Sequence, residues 1–249
     1  MRVSHFLLVL SIAAWGAGCA TPAPAPAEHL PGYQWIDAPT ALHALCERAG
    51  KVQSVSAEAD LTLTRPNGDS VRLDSVIVMR LPDAVRMRAW KFGQAVFDLT
   101  STSDGLWIEA PPDPDRRGKM MPASLSAAKM ARAWSILSGE FFCAPDARIV
   151  EAGPTVLRVE RVIQGQRVVC DVQRATLMPR RYSVFDSAGV ERFTLCLDRY
   201  EMLGDIPWPV MLTAHSEGGT IDIMLKDPEL NAELAPNAFV PPRKAEKVP

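Results

Sequence analysis

The chain has 249 residues, a formal net charge of −2 at pH 7 and 47% hydrophobic residues. This nearly balanced charge lacks the basic excess of a nucleic-acid-binding domain, so we expect no nucleic acid partner. Its length allows one ordinary domain with its own core, which we place at residues 33–249. No apolar stretch beyond the N-terminal segment reaches the ~20 residues that a transmembrane helix needs.

Residues 1–18 have the pattern of a secretory signal peptide. Arg2 gives a positive start, residues 6–14 form a short apolar core, and small residues at 16–18 lead to Cys19. A cysteine in this position resembles the lipobox of bacterial lipoproteins, which implies that Cys19 is lipidated and becomes the mature N-terminus. The lipobox usually has leucine at the first of the three small positions, and a soluble export signal cut after Ala20 is the alternative.

Residues 19–32 form an Ala/Pro-rich tether after the predicted lipidation site. Proline alternates with alanine between Thr21 and Ala27. This pattern excludes a helix interior or a central strand and predicts an extended spacer. By resemblance to the Gram-negative sorting rule for lipoproteins, Ala20 in place of aspartate implies transfer to the outer membrane. We therefore expect a lipid-anchored body that faces the periplasm.

A single helix opens the domain and is followed by strands. Asp37 or Thr40 is expected to cap the helix, and Gly50 to end it. From Val55 the apolar period changes from helical to two, which predicts half-buried antiparallel strands joined in a meander. The predicted strands of this first block are residues 55–64, 71–81, 85–89, 95–99 and 106–109.

A second helix and a second block of strands follow. Ser124 is expected to cap the helix, which carries Trp134 and Leu137 on one apolar stripe. The predicted strands of the second block are residues 156–161, 167–172, 180–185, 191–202, 209–215 and 220–225. So many strands are too much for a flat open sheet. We therefore predict a mainly β (α+β) fold, in which an antiparallel sheet curls toward a barrel or half-barrel and is accompanied by two helices.

The four cysteines after Cys19 are predicted to be structural. In an oxidising compartment an even number of cysteines permits disulfides, and four cysteines allow three connectivities, among which the sequence does not choose. Two of the four lie in strand-like segments, where they can simply be small core residues. The four are Cys46, Cys143, Cys170 and Cys196.

Three stretches, in this order, resemble the LolA/LolB-like family of lipoprotein-sorting proteins. Residues 86–94 form a strand, a hairpin and a strand, with Phe92 just before a glycine. Residues 170–180 match the strand–Asp–turn–Pro connection of the family, and residues 231–242 its closing segment. The resemblance covers roughly residues 41–242. LolA itself is soluble, so the predicted anchor favours the LolB-like receptor.

The resemblance implies that the curled antiparallel sheet forms a half-open β-barrel with two lid helices, and that its apolar concave face accepts acyl chains. Trp90 and Phe92 lie at the predicted hairpin tip, where exposed aromatic side chains can insert into a membrane or meet a partner protein. The alternative for Trp90 and Phe92 is that the hairpin folds over the end of the barrel and buries them. The alternative for any single residue of the predicted acyl-binding face is that it belongs to an ordinary packed core. The predicted acyl-chain-binding residues are Leu61, Leu63, Met87, Phe97, Leu99, Trp134 and Leu137.

The expected function is that of an outer-membrane-anchored lipoprotein that binds acyl chains and accepts or inserts lipoproteins. Its partners would be lipid acyl chains or lipoproteins, delivered by a periplasmic carrier protein, and we expect a monomer. His29, His43 and His215 form no metal-site pattern, and no catalytic motif appears, so we expect neither an enzyme nor a cofactor. The alternative is a non-transferring structural or interaction lipoprotein, which a cavity filled by its own side chains would favour.

Overall fold

The computed structural model describes residues 30–110, 137, 139–163 and 165–248. These residues form two helices, α1 (Ala38–Gly50) and α2 (Glu140–Cys143), and one sheet of thirteen strands. The strands are β1 (Ser54–Thr64), β2 (Ser70–Arg80), β3 (Ala84–Lys91), β4 (Gln94–Thr102), β5 (Gly105–Glu109), β6 (Arg148–Ala152), β7 (Val156–Ile163), β8 (Gln166–Gln173), β9 (Met178–Phe185), β10 (Glu191–Leu203), β11 (Ile206–Ser216), β12 (Gly219–Leu230) and β13 (Glu246–Val248).

The sheet is built from two meanders that are joined in the middle. Its order is β13-β5-β4-β3-β2-β1-β12-β11-β10-β9-β8-β7-β6, and every pairing is antiparallel. The joint is the pairing of β1 with β12, which runs from Val55 opposite Leu230 to Thr64 opposite Thr220. The sheet is open, with β13 and β6 at its edges. This confirms the predicted mainly β, antiparallel fold.

Period-two patterning separates an apolar concave face from a polar convex one. The register places Leu61 of β1 between Leu73 of β2 and Ile223 of β12, and all three are buried. On the convex face Asp60 accepts hydrogen bonds from Arg72 and Lys226, both at 2.6 Å. Water therefore screens the charges while the apolar side chains form the core.

Helix α1 begins and ends where the sequence predicts. The carboxylate of Asp37 accepts a hydrogen bond from the backbone N–H of Thr40 at 2.8 Å, which caps the helix. Ala41 and Leu45 are buried against the sheet. The predicted helix that begins at Ser124 lies outside the described residues, except for Leu137. No described helix is long and apolar enough to span a lipid bilayer.

A disulfide between Cys46 and Cys143 joins α1 to α2, with the two Cα atoms 4.9 Å apart. It is one of the pairings that the sequence left open. Cys170 is free and buried, as expected of a small core residue, and Cys196 is free and partly buried. Burial raises the pKa of the Cys170 thiol well above its usual value.

The turns of the sheet lie in two rims, at opposite ends of the strands. We call one the hairpin rim, because it contains the β3–β4 turn with Phe92. We call the other the tether rim, because the backbone N–H of Tyr33, in the segment that precedes α1, donates to the carbonyl of Ala175 in the β8–β9 turn at 2.7 Å. The chain therefore enters the domain at the rim opposite to Phe92.

Candidate acyl-binding site

The predicted strand residues of the site lie together on the concave face. Met87 of β3 is opposite Leu99 of β4, and Phe97 of β4 is opposite Ala89 of β3. Leu61 is fully buried, and Leu63, the most exposed of the five, is 9% exposed. These side chains form part of one apolar core. Trp134 lies outside the described residues.

A separate cavity of about 70 Å³ lies at the tether rim, between α1 and the concave face of β9–β11. Of the predicted site residues that the structure describes, Leu137 lines it and the five strand residues do not. The principal lining residues from the helices, the sheet and the β8–β9 turn are Leu45, Arg48, Phe142, Leu177, Tyr182, Leu197, Tyr200, Ile206 and Trp208. None of these nine residues is among the site residues predicted from the sequence.

Arg48 is the charged residue on the α1 side of this cavity. Its Nη1 atom donates to the backbone carbonyls of Thr176 at 3.0 Å and Leu177 at 2.9 Å, both in the β8–β9 turn. Burial lowers the pKa of the guanidinium below its usual value, and the charge interaction with Tyr200 opposes this shift. Arg48 therefore holds α1 to the tether rim at the cost of a partly desolvated charge.

The sheet side of the cavity is mainly aromatic. The ring of Tyr182 packs edge-to-face on Phe141, with centroids 5.5 Å apart, and burial raises the pKa of its hydroxyl well above the usual value. The hydroxyl of Tyr200 donates to the carbonyl of Pro179. Trp208 is 6% exposed, and no described residue accepts a hydrogen bond from its Nε1 atom. The wall is thus apolar with one unsatisfied donor.

The β3–β4 hairpin presents one aromatic side chain to solvent. Phe92 and Gly93 form the turn, with φ angles of +51° and +75°. Positive φ at both central residues is the conformation of a tight hairpin turn and points the first side chain away from the sheet. Phe92 is 93% exposed, whereas Trp90 is partly covered, with the guanidinium of Arg88 5.5 Å from its ring. The two aromatic side chains, which the sequence predicts together at the hairpin tip, thus differ in their exposure: Phe92 is almost fully exposed and Trp90 is partly covered.

The described histidines do not converge on either place. His43 pairs with Glu47 on the exposed face of α1, and His215 contacts the hydroxyl of Thr220 across β11 and β12. In the part of the chain that the structure describes, no group of three His, Cys, Asp or Glu side chains is placed to hold a metal ion. The chemistry available at the cavity is apolar contact and hydrogen-bond donation.

Comparison with solved structures identifies the fold of the chain. No protein-family model and no curated protein matches the chain. Three solved structures each match 80% of the chain. Two of them, a DUF1329 family protein from Desulfovibrio piger and a LolA superfamily protein from Nitrosomonas europaea, have a TM-score of 0.56 and 13% identity. The third is a putative outer membrane lipoprotein-sorting protein domain from Vibrio parahaemolyticus, with a TM-score of 0.53 and 15% identity. The match covers 96%, 97% and 95% of these three structures.

The chain has the LolA-like fold. At these identities the likeness concerns the fold alone, and it confirms the family resemblance of the sequence at that level. The LolA-like fold does not single out the LolB-like receptor. In this LolA-like sheet the concave face is the one on which α1 and the five predicted strand residues lie.

Proposed function

We propose that the chain is an outer-membrane lipoprotein, anchored through Cys19, that faces the periplasm, binds acyl chains on its concave face and accepts or inserts lipoproteins. The observation that carries this proposal is a continuous apolar concave face, shared by both meanders of a LolA-like sheet. Two solved structures with this fold are described as a LolA superfamily protein and a lipoprotein-sorting domain. Acyl binding needs such a face and no reactive group, since burial contributes about 25 cal/mol per Å² of apolar surface.

Acyl binding requires the helices to move away from the sheet. The cavity of about 70 Å³ is far smaller than a typical ligand pocket of roughly 300–1,000 Å³. Because the disulfide joins Cys46 of α1 to Cys143 of α2, the two helices would move as one unit. We propose that the structure is the closed form of an acyl-binding protein.

The exposed Phe92 is proposed to contact the bilayer during transfer. Full burial of such a side chain contributes about 1.5–3 kcal/mol, enough to bias the position of the hairpin without anchoring the body. A carrier would hand over its lipidated cargo at the concave face. Transfer without an energy source then requires that this chain binds the cargo better than the carrier does.

The anchor is tested by Cys19→Ser. We expect the wild-type chain in the outer-membrane fraction with a mass increased by acyl groups, and the C19S chain in the soluble periplasmic fraction without that mass. A wild-type chain found in the soluble periplasm and cut after Ala20 would contradict the anchor. Acyl binding does not depend on the anchor and would still be decided by the experiment that follows.

Acyl binding is tested by mass spectrometry of the full chain purified from cells, together with titration of a fluorescent fatty acid. We expect near-stoichiometric lipid or lipopeptide, reduced at least tenfold in Leu63→Asn. Thr62→Asn is the matched control, because Thr62 is the neighbour of Leu63 on the opposite face of β1. Circular dichroism checks that both variants fold. A wild-type chain that carries no lipid and does not bind the probe contradicts the proposal.

The second candidate is a structural or interaction lipoprotein with the same fold. One observation favours it: the predicted lining residues Leu61, Leu63 and Met87 are each at most 9% exposed, so the concave face is filled by its own side chains. This candidate expects no bound lipid and no response to the probe in the experiment above.

A further inference from the structure

The cavity at the tether rim is lined by a positive charge that has no negative partner among the described residues. Among the described residues, the hydrogen bonds of Arg48 come from Nη1, and their acceptors are the carbonyls of Thr176 and Leu177 and, at 3.7 Å, the sulfur of Met178. No carboxylate in the described ranges forms an ion pair with this guanidinium. A partly desolvated charge of this kind costs free energy unless an anion compensates it.

The same cavity is also lined by a hydrogen-bond donor for which the described residues provide no acceptor. Trp208 is more than nine-tenths buried and lines the cavity, and the N–H of its indole ring has no hydrogen-bond partner in the part of the chain that the structure describes. A buried donor without an acceptor costs about 1–3 kcal/mol, which is why most such groups in proteins are satisfied. An oxygen atom bound in the cavity would remove that cost.

We propose that this cavity binds the anionic headgroup of an acyl amphiphile, a carboxylate or a phosphate, with Arg48 and Trp208 as its donors. The inference rests on the proposed function for the apolar part of the ligand, which would lie on the concave face. A neutral ester satisfies the indole N–H but leaves the guanidinium without a counter-charge. The headgroup of the preferred ligand is therefore charged.

The dimensions of the cavity fit a headgroup but not a whole lipid. Its volume of about 70 Å³ has room for roughly five water-sized groups. Around this polar point the walls are apolar, with Leu45 and Phe142 on the helix side and Leu197 on the sheet side. The acyl chain would leave the headgroup between these walls when α1 and α2 move from the sheet.

The first test is calorimetric titration of the full chain with laurate, methyl laurate, dodecyl phosphate and inorganic phosphate. We expect laurate and dodecyl phosphate to bind at least tenfold more tightly than methyl laurate, and this difference to shrink as salt is added. Equal affinity for laurate and methyl laurate overturns the anionic site while acyl binding stands. If neither binds, the proposed function fails with it. If inorganic phosphate binds as tightly as dodecyl phosphate, the acyl chain adds nothing, and the proposal that the ligand is an acyl amphiphile is contradicted.

The second test uses variants. In Arg48→Gln a side-chain N–H can still donate to the carbonyls of the turn, but the charge is lost, so laurate affinity should fall at least tenfold and methyl laurate affinity less than twofold. Trp208→Phe keeps an aromatic ring but removes the N–H donor, so it should weaken the binding of both ligands severalfold.

Arg174→Gln is the matched control, because Arg174 lies on the same rim and donates to the carbonyl of Gly153 at 2.8 Å without lining the cavity. Wild-type laurate affinity in folded R48Q overturns the proposal, and if R48Q does not fold, the ligand comparison on the wild-type chain decides.

Discussion

Gly139, just before α2, lies directly against Ala49 of α1. Its φ angle is +71°, and a Cβ atom built there would lie 1.8 Å from the Cβ of Ala49. An alanine would therefore bring both backbone strain and a steric clash that only movement of the helix can relieve.

Gly139→Ala is accordingly expected to lower the free energy of unfolding by about 3 kcal/mol, measured by urea denaturation. Gly189→Ala is the matched control, because its φ of +79° brings the same strain while no atom lies within 4 Å of the added Cβ. The control should lose about 1 kcal/mol. Equal losses in the two variants would show that α1 and its neighbour can separate without cost.

Asp60 gives the stability of the sheet a dependence on pH. Hydrogen bonds from Lys226 and Arg72 lower the pKa of this carboxyl below its usual value, against the effect of burial. Because the pKa is lower in the folded state, the charged pair stabilises the fold above the unfolded pKa of about 3.9. This contribution is lost as the pH falls through the folded pKa.

Asp60→Asn should therefore reduce the fall in the free energy of unfolding between pH 6 and pH 2.5, by about 1 kcal/mol or less because the partners are exposed. Urea denaturation across this pH range measures it. Asp104→Asn, at a turn where no described residue forms an ion pair with the carboxylate, should leave the profile unchanged. A D60N profile identical to wild type would contradict the role given to this cluster.

At the scale of the elements, a disulfide bond holds the two helices α1 and α2 together. Cys46 and Cys143 are 97 residues apart in sequence, so their disulfide removes much of the freedom of the unfolded chain. The double variant Cys46→Ser/Cys143→Ser should lose about 2–4 kcal/mol of stability. Thermal unfolding with and without dithiothreitol measures this.

Only the wild-type chain and Cys196→Ser should respond to the reductant, since Cys196 is free. A wild-type melting temperature that is unchanged by full reduction would contradict a structural role for the disulfide. The same double variant should bind a fluorescent fatty acid faster than the wild type if the disulfide keeps α1 and α2 together on the sheet.

Strands with strict alternation were predictable, and strands at the edges were not. β1 and β2 have apolar residues at every second position because one face is core and the other is water. β6 (Arg148–Ala152) is a mostly exposed edge strand, and β13 (Glu246–Val248) has three residues, so neither carries that pattern. Both owe their place to the neighbouring strand that they cover.

The cavity was harder to predict than the sheet because its walls come from distant parts of the chain. Only tertiary packing brings Trp208 of β11 and Leu177 of the β8–β9 turn to the face of α1. One signal was present in the sequence: Arg48 lies three residues after Leu45, so it places a charge next to the buried stripe of α1. A charged residue on a core-facing stripe indicates either a buried hydrogen bond or a ligand.

At the scale of the whole molecule, the two rims set how the body can lie on a membrane. β2 has 11 residues, so the rims are about 37 Å apart at ~3.4 Å per residue. Phe92 lies on one rim, while the chain enters at the other, next to Ala175. Eleven residues lead from Cys19 to Leu30, and as an extended Ala/Pro chain they reach about 34 Å at ~3.1 Å per residue. The proposed tether is thus about as long as the body is tall.

If Cys19 is anchored as proposed, this match predicts that tether length controls the access of Phe92 to the bilayer that would hold the anchor. Deletion of residues 21–28 should leave anchoring and acyl binding intact but abolish Phe92-dependent insertion of a lipoprotein into liposomes that carry the full chain. A Gly/Ser replacement of equal length, with a mean span of about 18 Å, should insert at an intermediate rate, and an equal Ala/Pro repeat at the wild-type rate. Because Phe92→Ser removes the contact itself, the deletion should add no further loss to it. Full activity of the deletion would mean that the hairpin contacts a partner protein rather than its own membrane.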